Sequence, residues 1–151
     1  MTAPLPIVMP IRKDKIMTDT IEADTSADDK IAIFDFRKRV AYDSGAKRMF
    51  HRCARRQLIE LAAALGLQPG EYDVRRNDGG IAVSGEATLH AARLYVQVSQ
   101  PATGSDTGIL FRSCEGRRDY TGGRNNFASL DLLHRPGDLA RLIRRHCLPR
   151  T

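Results

Sequence analysis

Apolar residues recur at helical spacing over one long stretch of the chain, residues 44–65. At about 100° per residue, Phe50, Ala54, Leu58, Leu61 and Leu65 fall within an arc of about 80°, with Cys53 beside it. Arg48, His51, Arg52, Arg55 and Arg56 lie on the far side, with Ile59 among them. Asp43 or Ser44 can accept from the free N–H groups of the first turn, and Gly66 supplies a left-handed stop. The spacing predicts an amphipathic helix with a basic outer face.

Beyond Pro69-Gly70 the period shortens to two. Residues 71–76 read as a strand, Asn77-Asp78-Gly79-Gly80 is a hairpin signal, and residues 81–84 read as the returning strand. Residues 88–99 follow as a strand in which Leu94, Val96 and Val98 share one face; residues 86–92 also fit a helical turn. A Pro/Gly/Ser stretch at 100–108 leads to a further apolar strand at 109–114. Residues 115–126 are polar and rich in Gly and Arg, which predicts a loop or exposed hairpin, and 127–133 offer another strand. Pro136 suits the first turn of a final helix, with Asp138 favourable near its start and Leu139, Leu142, Ile143 and Cys147 on its buried side. The fold class is α+β: an antiparallel sheet of three to five strands flanked by an N-terminal amphipathic helix and a short C-terminal helix, both packed on one face.

Residues 1–30 lack periodicity and are rich in Pro, Thr, Asp and Ala, the composition of a disordered tail ahead of a single compact domain at 31–151. Residues 31–40 alternate, as a short strand does, and equally suit a docking arm that buries Phe34 and Phe36. Met17 is a plausible alternative start. No apolar run approaches the roughly 20 residues of a membrane helix, so no membrane partner is expected. Three widely spaced cysteines, Cys53, Cys114 and Cys147, with no CxxC pair, point to reduced thiols and a cytoplasmic location.

Charge sharpens the picture. The net charge is +6, but residues 1–30 hold four basic and six acidic groups, leaving +8 on 31–151. Eighteen of the twenty basic residues in that part are arginine. A GC-rich genome produces the same preference without function; the placement is more informative. Between Arg37 and Arg56 stand eight Lys or Arg residues and one acid, Asp43. Arg48, Arg52, Arg55 and Arg56 therefore suit phosphate oxygens, which guanidinium groups bind in a bidentate way. The second candidate is the loop holding Arg117, Arg118, Tyr120, Arg124 and Asn125, where arginines can hold anions and Tyr120 can stack on a base. A solvated helix face and a plain hairpin tip are the bland alternatives to these two sites.

No Walker or dinucleotide glycine pattern is present, and His134, His146 and Cys147 lack metal-ligand spacing, so neither cofactor nor metal is expected. The helix–strands–helix order is similar to a double-stranded RNA-binding domain. This stretch is longer, however, and lacks a matching basic signature at the start of its last helix. The strands also lack the aromatic pattern of an RNA-recognition motif. The leading expectation is a small basic protein binding the phosphate backbone of nucleic acid through the helix face and the loop. The alternative is an interaction or inhibitory module using the same surface against an acidic protein partner. A third is a metal-independent nuclease or phosphohydrolase using His134 with Arg118 and Tyr120.

Overall fold

The computed structural model describes residues 34–102 and 106–148. Contacts divide the chain into Met1–Phe34 and Asp35–Thr151, and the elements below belong to the second unit. The expected tail, residues 1–30, and the start of the 31–40 segment lie outside the described residues.

The first helix, α1, spans Ser44–Ala64. The Asp43 carboxylate accepts from the Ala46 N–H at 3.0 Å, and Gly66 follows the last turn at φ +79°. Phe50, Cys53, Ala54, Leu58 and Leu61 are buried, which is the apolar stripe of the sequence. His51 corrects it. The imidazole is buried rather than placed among the arginines, because residues 78–85 fold back over the first half of α1. Its Nε2–H donates to the Ser84 carbonyl at 2.8 Å. The Tyr42 N–H donates to the Ile81 carbonyl at 2.9 Å, and Lys47 Nζ to the Gly80 carbonyl at 2.8 Å.

Five antiparallel strands follow in chain order: β1 (Tyr72–Asn77), β2 (Glu86–Ala91), β3 (Leu94–Ser99), β4 (Ile109–Ser113) and β5 (Asn126–Ala128). Residues 81–84 are not the returning strand, since the 78–85 connection leaves the sheet to cover α1 and pairing resumes at Glu86. The run read as one strand at 88–99 is two, joined at Ala92-Arg93 without a left-handed residue. Only Phe127 and Ala128 of the expected 127–133 strand pair in the sheet. A 3-10 helix, Leu130–His134, and the last helix, α2 (Pro136–His146), complete the unit.

Both helices cover one face of the sheet. Val74, Leu89, Val96 and Phe111 are register partners on that face, and Leu89, Val96 and Phe111 are buried with Phe50, Leu58, Leu61, Leu139 and Ile143. An Arg144 guanidinium N–H donates to the Ala64 carbonyl at 2.9 Å, joining α2 to the end of α1. Phe36 is also buried on the helix side, 6.0 Å from the Phe50 ring and 4.9 Å from His134. Side chains alternate along a strand, so the intervening residues face away from the helices. No described helix is long and apolar enough to cross a membrane.

Candidate functional site

The 115–125 segment folds over the face of the sheet that the helices leave open. Asp119 organises it. One carboxylate oxygen accepts from the Glu115 N–H at 2.9 Å, and the other accepts from the Thr121 N–H at 2.9 Å and the Thr121 hydroxyl at 3.2 Å. The Glu115 and Thr121 backbone donors favour the ionised form and hold the Asp119 pKa below its ordinary value. Arg117 ties the loop to the edge of the sheet, donating to the Gly70 carbonyl at 2.7 Å and pairing with Asp73 at 2.9 Å. Gly122 and Gly123 run hard against the end of β4. A Cβ on Gly122 would come within 2.6 Å of the Ser113 carbonyl, and one on Gly123 within 2.2 Å of its hydroxyl. These two glycines seat the loop on the sheet.

Tyr120 is a further contact between loop and sheet. Its ring lies 5.1 Å from His90 and 6.3 Å from Tyr95, both edge-on. An Arg75 guanidinium N–H donates to the Tyr120 hydroxyl at 2.9 Å, and Arg112 donates to its carbonyl. The Arg112 guanidinium also sits 4.4 Å above the Tyr95 ring, a cation–π contact. Beneath this lid His90 and Tyr95 are buried, yet 53% of Tyr120 remains exposed.

His90 Nε2–H donates to the Gly116 carbonyl at 3.0 Å, and its buried Nδ1 has no partner among the described residues. Burial is the largest cause lowering its pKa, aided by Arg75 and Arg112 and opposed by the Gly116 bond and Asp119. His51 is lowered chiefly by burial as well. Lowered folded-state values mean that the unfolded chain binds protons more readily, so the stabilisation is complete above the ordinary value of 6.5 and is lost as pH falls through the folded values. Thermal melts should therefore show a lower midpoint at about pH 5 than at about pH 7.5, with a smaller gap in His90→Gln than in the parent. An unchanged gap in His90→Gln would remove His90 from this account.

The other sequence candidates divide between the two faces. Arg118, Arg124 and Asn125 are exposed on the loop, and Arg118 and Arg124 make no ion pair among the described residues. Arg48 and Arg52 are exposed on α1, on the other side of the sheet. Arg55 bonds the Val74 carbonyl at 3.3 Å and Arg56 pairs with Glu60 at 3.7 Å. The helix arginines and the loop arginines thus form two surfaces. His134 lies with Phe36 on the helix side and is not brought to Tyr120; the histidine beside Tyr120 is His90. Sequence reasoning missed Arg75, His90, Tyr95, Arg112 and Phe127. Their signal was the alternation itself: if Leu94, Val96 and Val98 face the core, Tyr95 and Gln97 face away from it.

Among the described residues no group of three His, Cys, Asp or Glu side chains converges as a metal site would. Cys53, Cys114 and Cys147 are unpaired, and burial raises all three thiols, Cys53 to about 11. Compared with known proteins, the chain matches no family model, no curated protein and no solved structure.

Proposed function

We propose that this protein binds nucleic acid, holding phosphate groups with arginines at the loop-bearing face of the sheet. The observation that carries this reading is the pair Arg118 and Arg124, exposed without an acidic partner among the described residues. Of the two acids in the 115–125 segment, Asp119 is occupied by two backbone N–H groups and a hydroxyl, and Glu115 is exposed without an ion pair among the described residues. Two guanidinium groups without an ion pair on one loop form an anion-seeking surface, and the net charge of +6 favours polyanions at longer range. Arg48 and Arg52 form a second basic surface on α1. The unpaired cysteines support a cytoplasmic location.

The test is fluorescence anisotropy with labelled single- and double-stranded oligonucleotides over a salt series. Binding should weaken linearly in log–log form, with a slope of roughly −0.7 per phosphate engaged for single strands. Binding that ignores salt, or none at low salt, would overturn the reading.

A second reading, an interaction module for an acidic protein, has its own support. Tyr42, Ile81 and Val83 are 73%, 75% and 50% exposed. Tyr42 stands at φ 65°, a conformation unfavourable for a bulky residue, and is bonded to Ile81 beside Lys47. An apolar patch rimmed by cations is how interfaces are composed. Under this reading oligonucleotides do not bind, and a co-purifying partner is lost in Ile81→Asp.

A further inference from the structure

The register aligns five side chains across the open face, one from each strand: Arg75, Thr88, Gln97, Leu110 and Phe127. Strands spaced about 4.8 Å apart make this row about 19 Å long. Unlike the neighbouring row of His90 and Tyr95, which Tyr120 seals, this one is open to solvent. Phe127 is 52% exposed, Thr88, Gln97 and Leu110 are half-buried, and the Arg75 side chain is 55% exposed. The row therefore has Arg75, paired with Asp73 at 3.5 Å and bonded to the Tyr120 hydroxyl, at one end and an aromatic ring at the other, with Tyr120 along its border.

We infer that this row is a stacking platform for the bases of single-stranded nucleic acid, an inference that rests on the nucleic-acid reading and names its substrate class. Phe127 and Tyr120 supply π faces, and Arg118 and Arg124, exposed on the loop that carries Tyr120, are the cations offered to phosphates of the same strand. Duplex does not suit the surface. A major groove about 12 Å wide admits a helix or a two-stranded ribbon but not a five-stranded face. The bases of a duplex are stacked on one another, whereas those of a single strand are free to lie on the sheet. A protein partner fits less well, because a guanidinium, a hydroxyl and an amide interrupt the row where an interface core would be apolar.

The chain contains no tryptophan, so Phe127→Trp places a sole reporter at the exposed end of the row. An oligothymidine of about 15 nucleotides and a duplex of equal length are titrated into this variant, reading emission and anisotropy together. The single strand should quench the tryptophan and bind about tenfold or more tighter than the duplex. Phe127→Ala should weaken single-strand binding by about tenfold while leaving the salt slope unchanged, because it removes stacking and no phosphate contact. Equal binding of both forms with unaltered emission would overturn the platform and leave the phosphate-binding reading intact. Absence of binding to either would overturn both. Emission that shifts to the blue with protein concentration alone would show a second copy covering the face, and would overturn the platform as well.

Discussion

Reversing Arg118 and Arg124 together to glutamate should lower affinity for a labelled single strand by about a hundredfold at roughly 50 mM salt. Each side chain is exposed and lacks an ion pair among the described residues, so neither reversal breaks a folded-state ion pair. The loss comes from two sources. Two counterion-releasing contacts disappear, which flattens the salt slope by about 1.4, and two carboxylates are placed against the phosphates. Arg117 is unsuitable for this experiment. Its bonds to Gly70 and Asp73 hold the loop, and its loss would confuse binding with loop placement. The informative comparison is Arg48→Glu with Arg52→Glu, on the helix side of the sheet. If the loop-bearing face holds the strand, the helix pair weakens binding only through long-range attraction, by a few-fold that added salt removes. If the helix pair instead causes the larger loss, binding belongs to α1 and the loop assignment is wrong. Far-ultraviolet circular dichroism of each variant confirms that the fold is retained.

How much of this was legible in the chain depends on whether a feature is local. The apolar spacing of α1, its Asp43 cap and the Gly66 stop are all local, and the helix ends at Ala64, one residue short of the expected bound. The burial of His51 is not. Nothing within one turn of the helix indicates that residues 78–85 return to cover it. The hairpin at Ala92-Arg93 was concealed for a related reason: neither residue is a turn former, and neither adopts the left-handed conformation that would call for glycine. With that turn hidden, the pairing of His90 with Tyr95 was hidden too, and with it the cluster beneath Tyr120. The loop itself was legible from its composition. Its placement was not, because Gly122 and Gly123 suggest a backbone open to ligands, whereas their closest neighbour is Ser113. Alternation showed which residues leave the core, and only register showed that five of them line up.

Gly85→Val should cost about 3 kcal/mol or more of folding stability, read as a shift in the urea midpoint. Gly85 stands at φ +74°, a region that costs an L-residue roughly 1–2 kcal/mol before any contact is considered. A Cβ there would lie 2.3 Å from the Asn77 carbonyl oxygen and 2.6 Å from that of Asp78. Both neighbours are backbone, so no side-chain rotation relieves the overlap. The end of β1 must move away from the start of β2, and the pairing of Asn77 with Glu86 is the first to be lost. The damage extends past the sheet. The Ser84 carbonyl accepts from buried His51, the Ser84 hydroxyl accepts from the Gln100 N–H at 3.0 Å, and the Gln100 amide holds the carbonyls of Phe36 and Lys38. Displacing residue 85 therefore disturbs the cover of α1 and the 36–38 segment together, and a buried imidazole that loses its acceptor adds a further penalty. Gly80→Ala is the control within the same connection. That position has no positive φ, and a Cβ there would meet nothing within 4 Å, so its midpoint should not fall. If Gly85→Val and Gly80→Ala behave alike, the 78–85 connection does not hold His51 in the way described. A large loss confined to Gly85→Val would mean that one glycine permits the return of the chain over α1, which a search for turn residues alone would have assigned to Gly79-Gly80.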